Sequence, residues 1–481
     1  MATVLNAYVL PHVGSYYGRL ERRMHDMQVR APLLIMKSNG GMASAAAAAA
    51  QPILTVLSGP AAAVVGAMAV ARQAGFTRCI SIDVGGTSAD VCLAEEEKPT
   101  LTTEGEIADL PLPFPMIDVH SIGAGGGSIA RLTASGSLQV GPESAGADPG
   151  PVCYDHGGHE PTITDAHLVL GRLGDALLGG ELRLHRDKAY AAIAERIAGP
   201  LNLSVETAAH GMLEILNNTM AGAMRAISIE RGYDPRHFVL LACGGAGPLH
   251  AGRLAELLEI PTVIISRYSG VLSTLGLLHS DIKNDYVRTM LQRHNAFDLT
   301  ALNLAFRDLE GQARTWLTEE GIVPAAQRLE RFADLRYANQ GYELTVPVPD
   351  GLLTETTLAQ TLAAFHQEHQ RLYTYASPEL PVELVNLRVS ARGPARPFAL
   401  QPLPATPETS MPLPMTRPVY FSTTDGFVEC PVYNYVSLPP GVHLTGPAII
   451  TQDLSTIVVQ PQHQVHLDRY GNIIMAVPQQ T

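Results

Sequence analysis

Lysine is nearly absent from this chain of 481 residues: Lys37, Lys98, Lys188 and Lys283 are the only four. Acidic residues outnumber Lys and Arg by 46 to 33, and the formal net charge is -13. That balance argues against nucleic acid or an anionic membrane as the main partner, since both recruit a cationic face. Charged residues make up only 16% against 46% hydrophobic, which is too apolar for a disordered, charge-driven protein. The five cysteines are dispersed and form no CxxC pair, so a zinc knuckle or disulfide scaffold is not expected and a reducing compartment fits. No stretch has the bulk and length of a membrane span; the run from Ala43 to Ala50 is short and made of small residues. A signal-peptide pattern is missing too, because Arg19, the first basic residue, follows the opening apolar residues instead of preceding them. The cytoplasm is therefore the expected location.

The length can house two to four domains at roughly 100–200 residues each. Residues from about 13 to 30 read as a helix, followed by an extended Leu33–Met36 run and a turn at Lys37-Ser38-Asn39-Gly40-Gly41. Ala61 to Gln73 reads as a helix of small residues, and the strand at Ile80 is followed by a return strand from Val91 to Ala94. Residues 104–160 are rich in glycine and proline and lack a period, as a functional loop would. Val205 to Ile229 is the clearest helix, with Met212, Leu216 and Met220 at helical spacing. Helices are predicted near 300–320 and 355–372, and strands at Tyr342–Val346 and Val382–Val389. The proline-rich stretch 393–417 reads as a linker, and 418–481 as a small β-rich domain. This alternation is α/β or α+β in character.

Two glycine turns carry chemistry. In Asp83-Val84-Gly85-Gly86-Thr87-Ser88 a carboxylate closes a strand, and the glycines let the backbone approach an anion with its N–H groups. Asp83 or Asp90 could hold Mg2+, since a phosphate-bound magnesium needs only one or two protein carboxylates. The spacing is neither Walker A nor GxGxxG, and a plain β-hairpin explains the glycines equally well. The second turn, Gly244-Gly245-Ala246-Gly247, lies between a strand and a helix and could bind phosphate at the helix start. His250, just inside that helix, is either a catalytic group or, more in keeping with its setting, a core histidine. The densest polar region runs from His120 through Gly123, Gly125, Gly126 and Gly127, with Asp118 before it and Asp165 and His167 farther on. Those acids and histidines contain metal-ligand atoms, though ordinary loop hydrogen bonding accounts for them as well. No GxSxG or HExxH motif is present.

Taken together, these segments resemble the hydantoinase A / 5-oxoprolinase family along nearly the whole chain. The resemblance is carried by Asn6-Ala7-Tyr8, Ser38-Asn39-Gly40-Gly41, Leu57-Ser58-Gly59-Pro60, the Asp83 turn, the His120 to Asp165 region and the Gly244 turn through His250. It continues in Tyr342-Glu343-Leu344, Asn386-Leu387-Arg388, Gly446-Pro447-Ala448 and Asp468-Arg469-Tyr470-Gly471-Asn472. It implies an actin/sugar-kinase/Hsp70-like nucleotide-binding core over 1–392, using ATP and Mg2+ to activate the carbonyl of a cyclic amide such as a hydantoin or oxoproline. An additional transition metal is left open. Asp83 and His120 become the catalytic candidates. Asp83, Gly85, Gly86, Thr87, Ser88, Gly244, Gly245 and Gly247 become the cofactor-binding candidates. The resemblance also implies a B-type partner subunit. Family members ordinarily begin with a further lobe bearing an early Asp-Thr-Gly-Gly-Thr-type turn; Met1 here leads almost directly to Asn6, so a truncated core, or a lobe supplied by another chain, is expected. A subunit of an ATP-dependent ketone carboxylase and a noncatalytic assembly subunit are the alternatives.

Overall fold

The computed structural model describes residues 2–479 except 97, 104, 108, 109, 294, 295, 395–397, 405–410, 412 and 425. Much of the expected 393–417 linker therefore lies outside the described residues. The chain forms two compact units, and neither is continuous in sequence. Unit 1 comprises Met1–Ala62, Leu101–Ile117 and Leu277–Phe398; unit 2 comprises Ala63–Thr100, Asp118–Gly276 and Ala399–Thr481.

Unit 1 is built on a six-stranded sheet in the order Leu34–Met36, Met42–Ser44, Ile282–Arg293, Val382–Gly393, Arg328–Tyr337, Leu344–Val348. The helix Leu299–Glu319 starts where the Asp298 side chain accepts from the Ala301 N–H, and it buries Leu302, Ala305, Phe306, Leu309, Ala313 and Leu317, one stripe of a 3.6-residue period. Glu355–Tyr373 opens with a reciprocal Thr354/Thr357 capping box and ends at Thr374 in the left-handed region. Its buried Phe365 packs edge-on against Tyr337 of the sheet. The first helix, Ala2–Asp26, begins well before the residue at which the sequence predicts it. Polar residues also enter this unit's interior. Asp334, fully buried, accepts from Arg388 Nε at 2.7 and 2.8 Å, from Asn386 Nδ2 at 2.7 Å and from Thr345 Oγ1 at 2.7 Å. Asp334→Ala strands the Arg388 guanidinium and leaves two further donors without their acceptor. It is expected to cost about 3–5 kcal/mol, read as a lowered denaturant midpoint for unit 1.

Unit 2 holds a nine-stranded mixed sheet. Its path is His120–Ile122, Ala89–Glu95, Cys79–Val84, Val239–Cys243, Thr262–Ile265, Ile473–Ala476, Gln464–Leu467, His443–Thr445, with Lys98–Pro99 beside Ala89–Glu95. Cys79–Val84, Val239–Cys243 and Thr262–Ile265 run parallel, and Ala89–Glu95 returns antiparallel. Side chains alternate between faces. Ile80, Ile82 and Val84 join Leu240 and Ala242 in the larger core, while Cys79, Leu241 and Cys243 pack with Ala67, Val70 and Ala71 in another. The helix Val205–Ile227, capped by Ser204, buries Met212, Leu216, Met220 and Met224 as its spacing predicts. The C-terminal residues are rich in strand, as expected, but belong to this unit: Ile473–Ala476 pairs antiparallel with Thr262–Ile265. The aperiodic 104–160 region contains short strands, among them His120–Ile122, Ser128–Leu132 and Leu138–Ser144, each too brief to show a hydrophobic period. No described helix is long and apolar enough to cross a membrane.

Candidate functional site

Three glycine segments of unit 2 meet at one end of its central strands. The first is the four-residue connection 85–88 between Cys79–Val84 and Ala89–Glu95, closed by Gly85 N–H donating to the Ser88 carbonyl at 3.0 Å. The second, Gly125–Gly127, lies directly against it: Gly126 N–H donates to the Gly85 carbonyl at 3.0 Å and Gly127 N–H to the Gly86 carbonyl at 2.7 Å. A Cβ on Gly125 would come within 2.7 Å of the Gly86 carbonyl carbon, so only glycine fits. The third is the Gly244 turn. Gly244 has φ +77°, its N–H donates to the Ser269 carbonyl at 2.9 Å, and a Cβ there would fall on the Val84 carbonyl oxygen and Asp83 Oδ1. Ala246 N–H closes the arrangement by donating to the Val84 carbonyl at 3.0 Å.

Gly85 and Gly86 differ from these supporting glycines. Neither adopts a left-handed φ, and a Cβ on Gly86 would meet nothing within 4 Å. Gly86, Thr87 and Gly245 are exposed. The connection is a β-hairpin, but its geometry does not require glycine at position 86. What glycine provides there is open space above a backbone held rigid from below, the form of a cradle for an anion. The eleven-residue helix Gly247–Leu257 begins beside the same turn, with Pro248 in its first turn, so its N-terminal dipole is available at this end of the sheet.

Asp83 and Asp90 face each other across the hairpin. Burial, reinforced by the neighbouring Asp90 and partly offset by the Cys243 thiol, pushes the Asp83 carboxyl up to about 6. Burial also raises Asp90, against a hydrogen bond from Ser121. Two half-buried carboxyls with no Lys or Arg beside them among the described residues are poised to gain from a cation, and magnesium on a phosphate requires no larger donor set. The residues present therefore fit a magnesium–nucleotide: Gly85, Gly86, Thr87 and Ser88 on the phosphate side, with Asp83 and Asp90 for the metal.

The other candidates are placed differently. His120 is exposed on the edge strand opposite Val91, whose side chain lies on the other face of the sheet from Asp83 and Asp90. The structure therefore does not bring His120 and Asp83 together. His250 is buried: its Nδ1–H donates to Asn217 Oδ1 at 2.7 Å, and its Nε2 lies 3.3 Å from His167 Nε2. Burial holds His250 down to about 3 and His167 well below the usual histidine range, so both are neutral core residues. Asp165 forms a capping box with Thr162 and accepts from the Cys153 N–H at 2.7 Å. Asp118 pairs with Arg231. Among the described residues no group of three or more His, Cys, Asp or Glu is placed to hold a metal ion. One wall escaped the sequence reading. Gln452 and Ser455 hydrogen-bond Ser269 Oγ at 2.9 Å, and the Leu454 carbonyl lies 3.5 Å from a Cβ built on Gly245. A polar Gln-Asp-Leu-Ser turn between two apolar runs was its only local signal.

Comparison with known proteins bears on this arrangement. The hydantoinase/oxoprolinase profile matches residues 1–286, and that of the hydantoinase/oxoprolinase C-terminal domain matches 291–475. The caprolactamase subunit alpha of Pseudomonas jessenii is 39% identical over 478 residues, covering 97% of this chain and 68% of that one. The crystal structure of ATP-dependent caprolactamase from the same organism superposes with a TM-score of 0.88 at 37% identity, covering 99% of this chain and 70% of that one. Nucleotide-free acetone carboxylase superposes at 0.74 with 29% identity, over 95% of this chain and 66% of that one. The chain thus spans about two thirds of each of these longer proteins.

Proposed function

This chain belongs to the hydantoinase/oxoprolinase family, and from that premise we propose that it is the nucleotide-handling subunit of an ATP-dependent enzyme that opens a cyclic amide. The observation that carries the reading is the exposed Gly86 backbone, braced by Gly125–Gly127 and flanked by Asp83, where the fold itself has no need of glycine. Likeness to a caprolactamase, stronger than the likeness to acetone carboxylase, favours amide hydrolysis over ketone carboxylation. The sheet of unit 2, with an antiparallel hairpin followed by two strands parallel to its first, supports an actin/sugar-kinase/Hsp70-like core.

When bound, ATP would supply the phosphoryl group that activates the inert amide carbonyl; water adds to the carbonyl carbon, the ring C–N bond breaks with nitrogen leaving as the protonated amine, and a second water releases the phosphoryl group as inorganic phosphate. The protein's part is positioning and charge stabilisation. The N–H groups of residues 86–88 and the Thr87 and Ser88 hydroxyls would hold phosphate oxygens. Asp83 and Asp90 would hold magnesium, and the Gly244–Gly247 turn with its helix start would supply further backbone N–H groups to the nucleotide. Relatives named as subunits lead us to propose a heteromeric assembly containing a B-type subunit.

The test is product-resolved turnover by the native complex with ATP, comparing ε-caprolactam, hydantoin and 5-oxoproline with acetone plus bicarbonate. A ring-opened product with stoichiometric ADP or AMP is expected from at least one cyclic amide. A carboxylated product from acetone alone would replace this reading with the carboxylase one.

A further inference from the structure

Unit 1 contains a cavity of about 450 Å³, within the range of about 300–1,000 Å³ typical of small-molecule sites. Three segments that stand out in the sequence without an assigned chemistry converge on it: Lys37 and Asn39 from the first turn, Glu343, and Asn386 with Arg388. They come from positions up to 351 residues apart (388 minus 37) and share no secondary-structure element.

The charges around the cavity are already answered. Arg388 is paired with the fully buried Asp334. Asp285 lies between Lys37 and Lys283 and accepts from Asn39 Nδ2 at 2.7 Å. Burial would raise the Asp285 carboxyl, but Lys283, Asn39, Ser390 and Lys37 bring it below its ordinary value. Lys37 and Arg388, the cationic lining residues, are matched in number by Asp285 and Glu343, so the lining carries no formal net charge. Lys37 Nζ donates to the Lys283 carbonyl at 3.2 Å and to Asn284 Oδ1. Lys37 Nζ also lies 5.8 Å from the centroid of the Trp316 ring. Gln51 adds a side-chain amide, which can both donate and accept. Leu54 and Phe114 also line the cavity and belong to a small apolar cluster with Ile53 and Met116.

A lining that both donates and accepts, includes apolar side chains and carries no formal net charge suits a ring with a cis-amide on one side and methylenes on the other. We propose that this cavity binds the cyclic amide, with its amide edge toward Gln51 and the ring carbons on Leu54 and Phe114. The proposal rests on the amide-hydrolase reading for the identity of its ligand, but its site lies wholly within unit 1.

The test measures binding of ε-caprolactam to the native complex without ATP, by ligand-observed NMR, alongside steady-state kinetics. Val287 lines the cavity and is 43% exposed, so Val287→Trp fills the space without loading the core. Gln51, also exposed, gives a second variant, Gln51→Leu. Each is expected to raise the lactam Kd and KM by about tenfold or more, equivalent to about 1.4 kcal/mol, with ATP affinity unchanged. Absence of lactam binding to the wild-type complex overturns the proposal, as does unchanged binding in both folded variants. Binding of 5-oxoproline but not ε-caprolactam overturns the uncharged-ligand assignment. If lactam binds and Val287→Trp abolishes it, yet no cyclic amide is turned over, the cavity assignment stands and the hydrolase reading falls.

Discussion

Asp83→Asn is expected to remove ATP-dependent turnover while raising the melting temperature of the ligand-free protein. The carboxyl is half-buried beside Asp90, and its pKa moves from 3.8 to about 6. For an acid shifted upward, the folded state holds more protons than the unfolded state between those two values. Stability therefore falls as pH rises from about 4 to about 6 and stays reduced above that. At pH 7.5 the ionised Asp83 costs the empty protein about 1–3 kcal/mol, and the uncharged amide recovers much of it. The gain should shrink by pH 5, where the wild-type carboxyl is largely neutral. Turnover should fall about 100-fold or more, the scale for deleting a group that stabilises developing charge. Magnesium–ATP should stabilise the wild type in a thermal scan and the variant far less. A variant with normal ATP kinetics removes Asp83 from the site, and one that melts lower shows the carboxylate to be structural.

Much of the candidate site's local geometry was legible because its signals are local. An acid at a strand end followed by two glycines and two hydroxyls can be read in six residues, and so can Gly244–Gly247. The sequence could not say whether Gly85 and Gly86 served a hairpin or a ligand. The φ values and the empty space above Gly86 support the ligand we propose. Long-range pairing was the larger loss. Ile282–Arg293 forms the twelve-residue strand next to Val382–Gly393, yet only its first two residues are buried. Although burial alternates from Tyr286 onward, Val287 and Leu291 fall among the exposed positions, so its apolar residues show no matching alternation. The return of Ile473–Ala476 to the strand at Thr262 likewise leaves no local trace. His120 shows what a local reading leaves out. It belongs to a conspicuous glycine-rich region, but a one-residue register difference from Ser121 sets it on the other face from Asp90, and polar density alone cannot reveal that parity.

Gly125→Ala and Gly86→Ala should separate support from function, although the two glycines belong to segments in direct contact. At Gly125 the added methyl meets the Gly86 carbonyl carbon at 2.7 Å and the Gly85 and Gly86 oxygens at 2.8 Å, all backbone. Nothing flexible can yield, so the turn or the 123–127 loop must shift, at an expected cost of about 2–4 kcal/mol. The variant should melt lower and lose activity in proportion to the fraction unfolded and the displacement of the turn. At Gly86 the same methyl meets no atom within 4 Å, and the backbone is not left-handed. Stability should change by less than about 0.5 kcal/mol, or rise slightly through the unfolded chain's lost freedom. The methyl would nevertheless stand where a phosphate approaches the N–H groups, so ATP affinity should fall about tenfold or more. Isothermal titration with ATP and magnesium, paired with a thermal scan, reads both quantities on one sample. Normal ATP affinity in a stable Gly86→Ala protein would make the turn a hairpin and nothing more. Loss of affinity at unchanged stability requires a ligand in the space that the fold leaves open.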